Sequence, residues 1–79
     1  MDIKIYTTPG CKYCTQAKKL FERAGYTWEE FSFSEGKELR EQYPNAESFP
    51  WIIIDGEEVG GLVDTAKLFL EKGLVSSQK

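Results

Sequence analysis

Two cysteines, Cys11 and Cys14, stand three positions apart in the stretch "TTPGCKYC", and they are the only cysteines of the chain. Three chemistries are open to such a pair. As a structural disulfide it would close a loop so short that it yields only the low end of the roughly 2 to 4 kcal/mol a crosslink gives. As half of a zinc site it would need two further ligands, and in a chain with no histidine those would have to be carboxylates or come from a second chain. As a reversible dithiol it needs only its spacing, because positions i and i+3 of a first helical turn share a face within bonding reach.

The redox reading also ranks the two sulfurs. Cys11 falls at the start of a predicted helix, where unpaired backbone N–H groups and the macrodipole favour a thiolate, so it is the expected nucleophile. Cys14 lies one turn in, on the apolar stripe. The macrodipole alone supplies about 0.3 to 1 kcal/mol, so direct N–H bonds, the Cys14 S–H and the Lys12 ammonium must add to it.

The elements that would hold this pair can be read on either side of it. Ile3 to Thr7 alternates like a strand and is closed by the turn residues Thr8-Pro9-Gly10. Tyr13, Cys14, Ala17, Leu20, Phe21 and Ala24 then recur at helical spacing, with Lys12, Gln16, Lys19 and Arg23 facing away and Gly25 as the stop. Tyr26 to Phe33, rich in aromatics but carrying Glu29-Glu30, predicts an edge strand. Ser34 is the expected cap of a short helix over Glu35 to Tyr43, ending before Pro44.

Trp51-Ile52-Ile53-Ile54 predicts a strand covered on both faces, and Asp55-Gly56 a tight hairpin into Glu57 to Val59. Asp64 is the expected cap of a last helix with Leu62, Ala66, Phe69 and Leu70 inward and Gly73 as its stop, followed by a polar tail from Ser76. The order β-α-β-α-β-β-α makes this an α/β chain. Its first β-α-β unit should be right-handed with parallel strands, and the hairpin completes a four-stranded mixed sheet with helices on both faces. A C-x-x-C at the end of the first strand of such a unit is a redox signature.

Composition narrows the setting. A chain of 79 residues, 41% hydrophobic and 29% charged, is expected to be one domain, residues 1–79, of ordinary globular character. No apolar run approaches the roughly 18 residues of a membrane helix, and Met1-Asp2-Ile3-Lys4 lacks the marks of a secretion signal, so a cytoplasmic address is expected. A net charge of −3 argues against general nucleic-acid binding. The charge is unevenly spread: residues 1–24 carry Lys4, Lys12, Lys18, Lys19 and Arg23 against Asp2 and Glu22, a balance of +3, and the remaining residues a balance of −6. The plain account is a solvated helix face; the functional one is a basic setting for the cysteines.

Three segments in order, "YTTPGCKYC", "ESFPWIIIDGEEVGG" and "GGLVDT", are similar to the active-site loop, the cis-proline loop and the glycine-glycine-x-x-aspartate segment of the glutaredoxins. The resemblance covers nearly the whole chain. It implies a thioredoxin-like fold, with glutathione as reductant and co-substrate and no metal. Its implied substrates are protein disulfides and glutathione mixed disulfides, with an enzyme such as ribonucleotide reductase among the clients of a monomeric protein. Carried onto this chain, Cys11 would attack and Cys14 resolve. Tyr13 would flank the glutathione sulfur, and Phe49 would present its backbone to the glutathione cysteine ahead of a cis Pro50. Gly60 and Gly61 would let the chain pass close to the ligand. Val63 and Asp64 amides would hold the γ-glutamyl carboxylate, and the Asp64 side chain its ammonium.

Each of these residues has a plainer role open to it. Pro50 could be an ordinary trans residue opening a strand, Asp64 only a helix cap, Gly60-Gly61 turn chemistry, and Tyr13, Phe31 and Phe33 parts of the core. The chain also departs from the family pattern. Lys12 replaces the usual proline after the first cysteine, adding charge where proline would add stiffness. Thr8 stands where many relatives have a lysine for the glycine carboxylate, leaving Lys12, Arg40 or Gln42 to take that part. Ser48-Phe49 replaces the commoner threonine-valine, and the larger Phe49 would narrow the groove. The expected function is that of a dithiol glutaredoxin. Two alternatives are a thioredoxin-like redoxin served by a flavoprotein reductase and an iron-sulfur carrier with Cys11 and glutathione as ligands.

Overall fold

The computed structural model describes residues 2–74, so the polar tail expected from Ser76 lies outside them. The chain runs β1 (Ile3–Thr7), α1 (Lys12–Ala24), β2 (Glu29–Ser32), α2 (Gly36–Gln42), β3 (Trp51–Ile54), β4 (Glu57–Gly60) and α3 (Leu62–Glu71). The sheet order is β2-β1-β3-β4, with β1 parallel to β2 and antiparallel to β3, and β3 antiparallel to β4. This is the expected four-stranded mixed sheet.

Strand alternation divides the interior into two cores. Ile3, Ile5, Ile52 and Ile54 face α1 and α3, where they bury Ala17, Phe21 and Phe69. Tyr6 and Ile53 face the other way, against Leu39 of α2 and Ala46. Helices thus cover both faces, and the central strand β3 carries the continuous apolar run that such a position requires, while β1 alternates around Lys4.

Several boundaries move for physical reasons. The second strand begins at Glu29, because Tyr26 and Trp28 pack as rings against the first core, Tyr26 on Phe69 at 6.1 Å and Trp28 on Phe21 at 5.7 Å between centroids. Ser34 is not the cap of α2. Its N–H and hydroxyl both donate to the Glu38 carboxylate, while Glu35 takes the cap position in a reciprocal box with Glu38. Asp64 does not cap α3 either: Gly61 is the N-cap and Asp64 sits in the first turn. Inward positions of α3 are Thr65 and Phe69, with Leu62 and Leu68 packed against the core, whereas Leu70 is 44% exposed.

Other punctuation is as read. Gly25 ends α1 in the left-handed region at φ 83°, and the N–H of Tyr26 reaches back to the Phe21 carbonyl at 3.0 Å. Asp55 and Gly56 form the β3–β4 turn with φ of 52° and 83°, the pair of positive values a two-residue hairpin needs. Pairing then slips between Ile52 and Ile53, a bulge that places Gly60 opposite Ile52 and turns the chain into α3.

Candidate active site

The site begins where β1 ends. Thr8-Pro9-Gly10 carries the chain off the sheet, and Cys11 is the N-cap residue of α1 in extended conformation (φ −87°, ψ 113°). In that position a side chain turns back over the first helical turn. The Cys11 sulfur does so, accepting the N–H of Cys14 at 3.1 Å. The Cys11 sulfur thus lies against a backbone donor of the first helical turn.

The two sulfurs sit in different surroundings. Cys11 is half-buried and Cys14 is buried at 3% exposure, and both are free thiols. Burial first, and then its bond to Cys11, pushes the Cys14 thiol up to about 12 from an ordinary 9.0, and only the Thr8 backbone and Lys18 pull it the other way. The pair is therefore asymmetric. One sulfur is reachable and held by an amide; the other stays protonated beneath it.

Beside them lies a hollow of about 390 Å³ whose walls include Thr8, Cys11, Lys12, Cys14, Lys18 and Glu30. Glu30 comes from β2 and accepts the hydroxyl of the buried Thr7 at 2.9 Å as well as the Lys18 ammonium at 3.2 Å. Neither Lys18 nor Glu30 was singled out as a site residue from sequence. Their positions, on the helix face flanking Cys14 and on the strand parallel to β1, meet only through the β-α-β crossover.

On the other side of the cysteine loop runs a groove of about 280 Å³. Tyr13, Phe49, Pro50, Gly61, Val63 and Asp64 all line it, six of the residues named from the resemblance. The Phe49–Pro50 peptide is cis. Tyr13 leaves the apolar stripe on which it was expected and stands 61% exposed, with Val63 65% exposed. The start of α3 lies against the proline loop, but a Cβ on Gly61 would meet the Pro50 carbonyl oxygen at 3.5 Å, an ordinary contact, so this approach does not itself require glycine. No side chain caps the first turn of α3, so its leading amides remain available as donors.

Lys12 does not join this groove; it belongs to the hollow around Cys11. Arg40 and Gln42, the other two candidates for the part of the missing lysine at Thr8, line neither. The groove also contains Glu47, Ser48, Trp51 and Leu62, which sequence reasoning did not assign to it. Trp51 opens β3 as expected and packs its ring partly against the second core. Its indole N–H also donates to Glu58 at 3.2 Å at the solvent edge. Among the described residues no group of three or more His, Cys, Asp or Glu side chains converges as a metal cage.

The Glutaredoxin family model matches residues 3–59. A glutaredoxin of Neisseria meningitidis is 36% identical over 76 residues, covering 91% of this chain and 89% of that one. The solved glutaredoxin 1 of Francisella tularensis, complexed with cacodylate, superposes with a TM-score of 0.77 at 29% identity over 92% of this chain and 95% of that one. The fold is also that of a buckwheat glutaredoxin–glutathione complex, with a TM-score of 0.77 at 22% identity over 91% of this chain and 71% of that one. With a dithiol at the head of α1 beside a cis-proline groove, and with these relatives, the chain belongs to the glutaredoxin family of thioredoxin-fold thiol-disulfide oxidoreductases.

Proposed function

We propose that the protein is a dithiol glutaredoxin that uses glutathione to reduce protein disulfides and glutathione mixed disulfides in the cytoplasm. The observation that carries this reading is the unequal pair: Cys11 half-exposed with its sulfur on the Cys14 amide at 3.1 Å, and Cys14 buried behind it. The exposed thiolate attacks; the buried thiol waits.

In the first step Cys11 sulfur attacks one sulfur of a substrate disulfide, a new S–S bond forms, and the other sulfur leaves as a thiolate that takes a proton from solvent. With a glutathionylated protein the bond formed is between Cys11 and glutathione, and the protein thiol departs reduced. A second glutathione thiolate then attacks the glutathione sulfur, releasing oxidised glutathione and restoring the Cys11 thiolate. With a protein disulfide, Cys14 gives up its proton and attacks the Cys11 sulfur, freeing the dithiol product. Two glutathione molecules return the Cys11–Cys14 disulfide to the dithiol and leave as one disulfide.

For glutathione itself the groove offers recognisable partners. Phe49 would pair its backbone with the cysteine of the tripeptide like an added strand. Val63 and Asp64 amides at the start of α3 would hold the γ-glutamyl carboxylate, Asp64 its ammonium, and Tyr13 the side of the sulfur. The glutathione bound to the buckwheat protein supports this ligand class. The acting unit is residues 1–79 as a monomer, and ribonucleotide reductase is a client by family analogy alone.

The test is a pair of variants assayed on a glutathionylated peptide with glutathione as reductant. Cys11→Ser should lose all turnover, and Cys14→Ser should keep it while losing reduction of protein disulfides. A Cys14→Ser protein inert toward every glutathionylated peptide would falsify the mechanism. Turnover with NADPH and thioredoxin reductase but none with glutathione would move the protein to the other redoxin class.

A further inference from the structure

The positive charge of the first 24 residues is only partly used by the cysteines. Lys12, Gln16, Lys19 and Arg23 are exposed along one side of α1, a row of about 16 Å at the helical rise of 1.5 Å per residue. Where that row faces α3 there is a hollow of about 300 Å³, lined by Gln16, Lys19, Leu20, Arg23, Leu62 and Ala66. It has two cations, no acid and an aliphatic floor. Among the described residues neither Lys19 nor Arg23 is in an ion pair, the one such pair being Lys18 with Glu30.

Leu62 lines both this hollow and the groove that Tyr13 and Pro50 line, so the two flank one residue. A chain whose disulfide lies at Cys11 can extend over Leu62 into the hollow without leaving the surface. The geometry points to this hollow as the docking surface for the substrate protein, and to its occupant as an acidic segment flanking the client disulfide, with carboxylates on Lys19 and Arg23 and aliphatic side chains on the floor. The assignment rests on the thiol-disulfide reading of the site above.

Charge elsewhere strengthens the choice. Residues 25–79 carry a balance of −6 against +3 for residues 1–24, so the exposed Lys12, Lys19 and Arg23 of α1 attract an acidic partner where the rest of the chain is acidic on balance. The partner arrives with the cysteine end facing it.

The experiment uses the full chain and three substrates: a peptide with one internal disulfide followed by Glu-Leu-Glu-Leu, its Lys-Leu-Lys-Leu counterpart, and the mixed disulfide of glutathione with 2-mercaptoethanol. At low salt the wild type should favour the acidic peptide by about tenfold in kcat/KM, and the two peptides should converge near 1 M salt, where the screening length is about 3 Å. Lys19→Glu combined with Arg23→Glu should reverse the order while turnover of the small mixed disulfide changes less than about twofold. Lys19→Gln with Arg23→Gln should bring the peptides level. Equal peptide rates in the wild type, a preference unaltered by the variants, or a parallel fall with the small substrate would each overturn the assignment. So would a wild-type dimer in sedimentation that the double variant abolishes, which would make a second copy the occupant. Failure of the wild type on the small mixed disulfide would sink the glutathione reading itself, whereas peptide equality with normal small-substrate turnover sinks only the docking surface.

Discussion

Asp64 folds its carboxylate over Gly60: a Cβ built on the glycine would stand 2.5 Å from Oδ2 of the aspartate, and the glycine itself is at φ 126°. Two constraints therefore meet at one residue, a backbone conformation that L side chains rarely adopt and a contact that leaves no room for a methyl group. Gly60→Ala should cost about 1 to 3 kcal/mol in urea unfolding for the backbone strain, with more for displacing Asp64. In an Asp64→Ala background the contact part should vanish and the strain remain. Equal costs in the two backgrounds would mean that the aspartate moves aside freely.

The buried sulfur should control alkaline stability. In the unfolded chain Cys14 ionises near its ordinary 9.0, whereas burial and its bond to Cys11 hold the folded thiol up to about 12. Above pH 9 the unfolded state releases this proton first, so the dithiol form should lose stability as pH rises from 9 toward 12. Tyr6, raised to about 12 by burial and by its bond to Tyr43, adds to the same trend above 10. Denaturation midpoints across this range should fall more gently for Cys14→Ser than for the wild type. Parallel slopes would remove Cys14 from the account.

Glu30 has two partners, and their worth differs. The Lys18 ion pair at 3.2 Å joins side chains that are 31% and 38% exposed, and such pairs contribute about 0 to 1 kcal/mol. The Thr7 hydroxyl is attached to a residue 3% exposed, and leaving it without its acceptor costs about 1 to 3 kcal/mol. Glu30→Gln keeps an acceptor for Thr7 and should lose little, whereas Glu30→Ala should lose clearly more. Similar losses in chemical denaturation would mean the ion pair dominates.

Phe21 is fully buried where α1 meets α3, its ring 5.7 Å from those of Trp28 and Phe69. Phe21→Ala should cost about 3 to 5 kcal/mol, a large share of what a chain of this size commands. Val63, exposed at the rim of the groove, should tolerate alanine with almost no change in unfolding midpoint. A cost below about 1 kcal/mol at Phe21 would mean the core collapses around the gap.

How far the sequence anticipates this molecule depends on what each residue must satisfy. Trp51 to Ile54 and Asp55-Gly56 were legible because continuous apolar character and a turn dipeptide each have few other uses. Cys11 and Cys14 were legible for the same reason. The cap of α2 was not, because Ser34 and Glu35 compete for one Glu38 carboxylate and only the loop geometry decides. On α3, Leu62 and Phe69 face the core as expected, but Leu70 turns to solvent and Thr65 goes inside, its hydroxyl donating to the Gly61 carbonyl at 2.9 Å. Tyr13 lies on the helical stripe in sequence but sits in the first turn beyond the edge of the core, where the groove takes it instead. Contacts between distant segments, such as Glu30 with Thr7, leave no local mark at all.

The groove has a charge that the proposed ligand must contend with. Its ionisable walls, apart from the Tyr13 phenol, are Glu47 and Asp64, with no basic side chain among them, and Thr8 stands where many relatives are expected to hold a lysine for the glycine carboxylate. Thr8 is half-buried and lines the hollow that Cys11 also lines. Thr8→Lys should supply the missing cation. An exposed pair of this kind contributes about 0.2 to 1 kcal/mol, so KM for glutathione should fall by about 1.4- to fivefold, kcat should hold, and the gain should fade with added salt. Glutathione monoethyl ester, whose glycine carboxylate is blocked, should show no such gain. A rise in kcat instead, or an equal benefit for the ester, would mean that the new ammonium acts on the Cys11 sulfur rather than on the ligand.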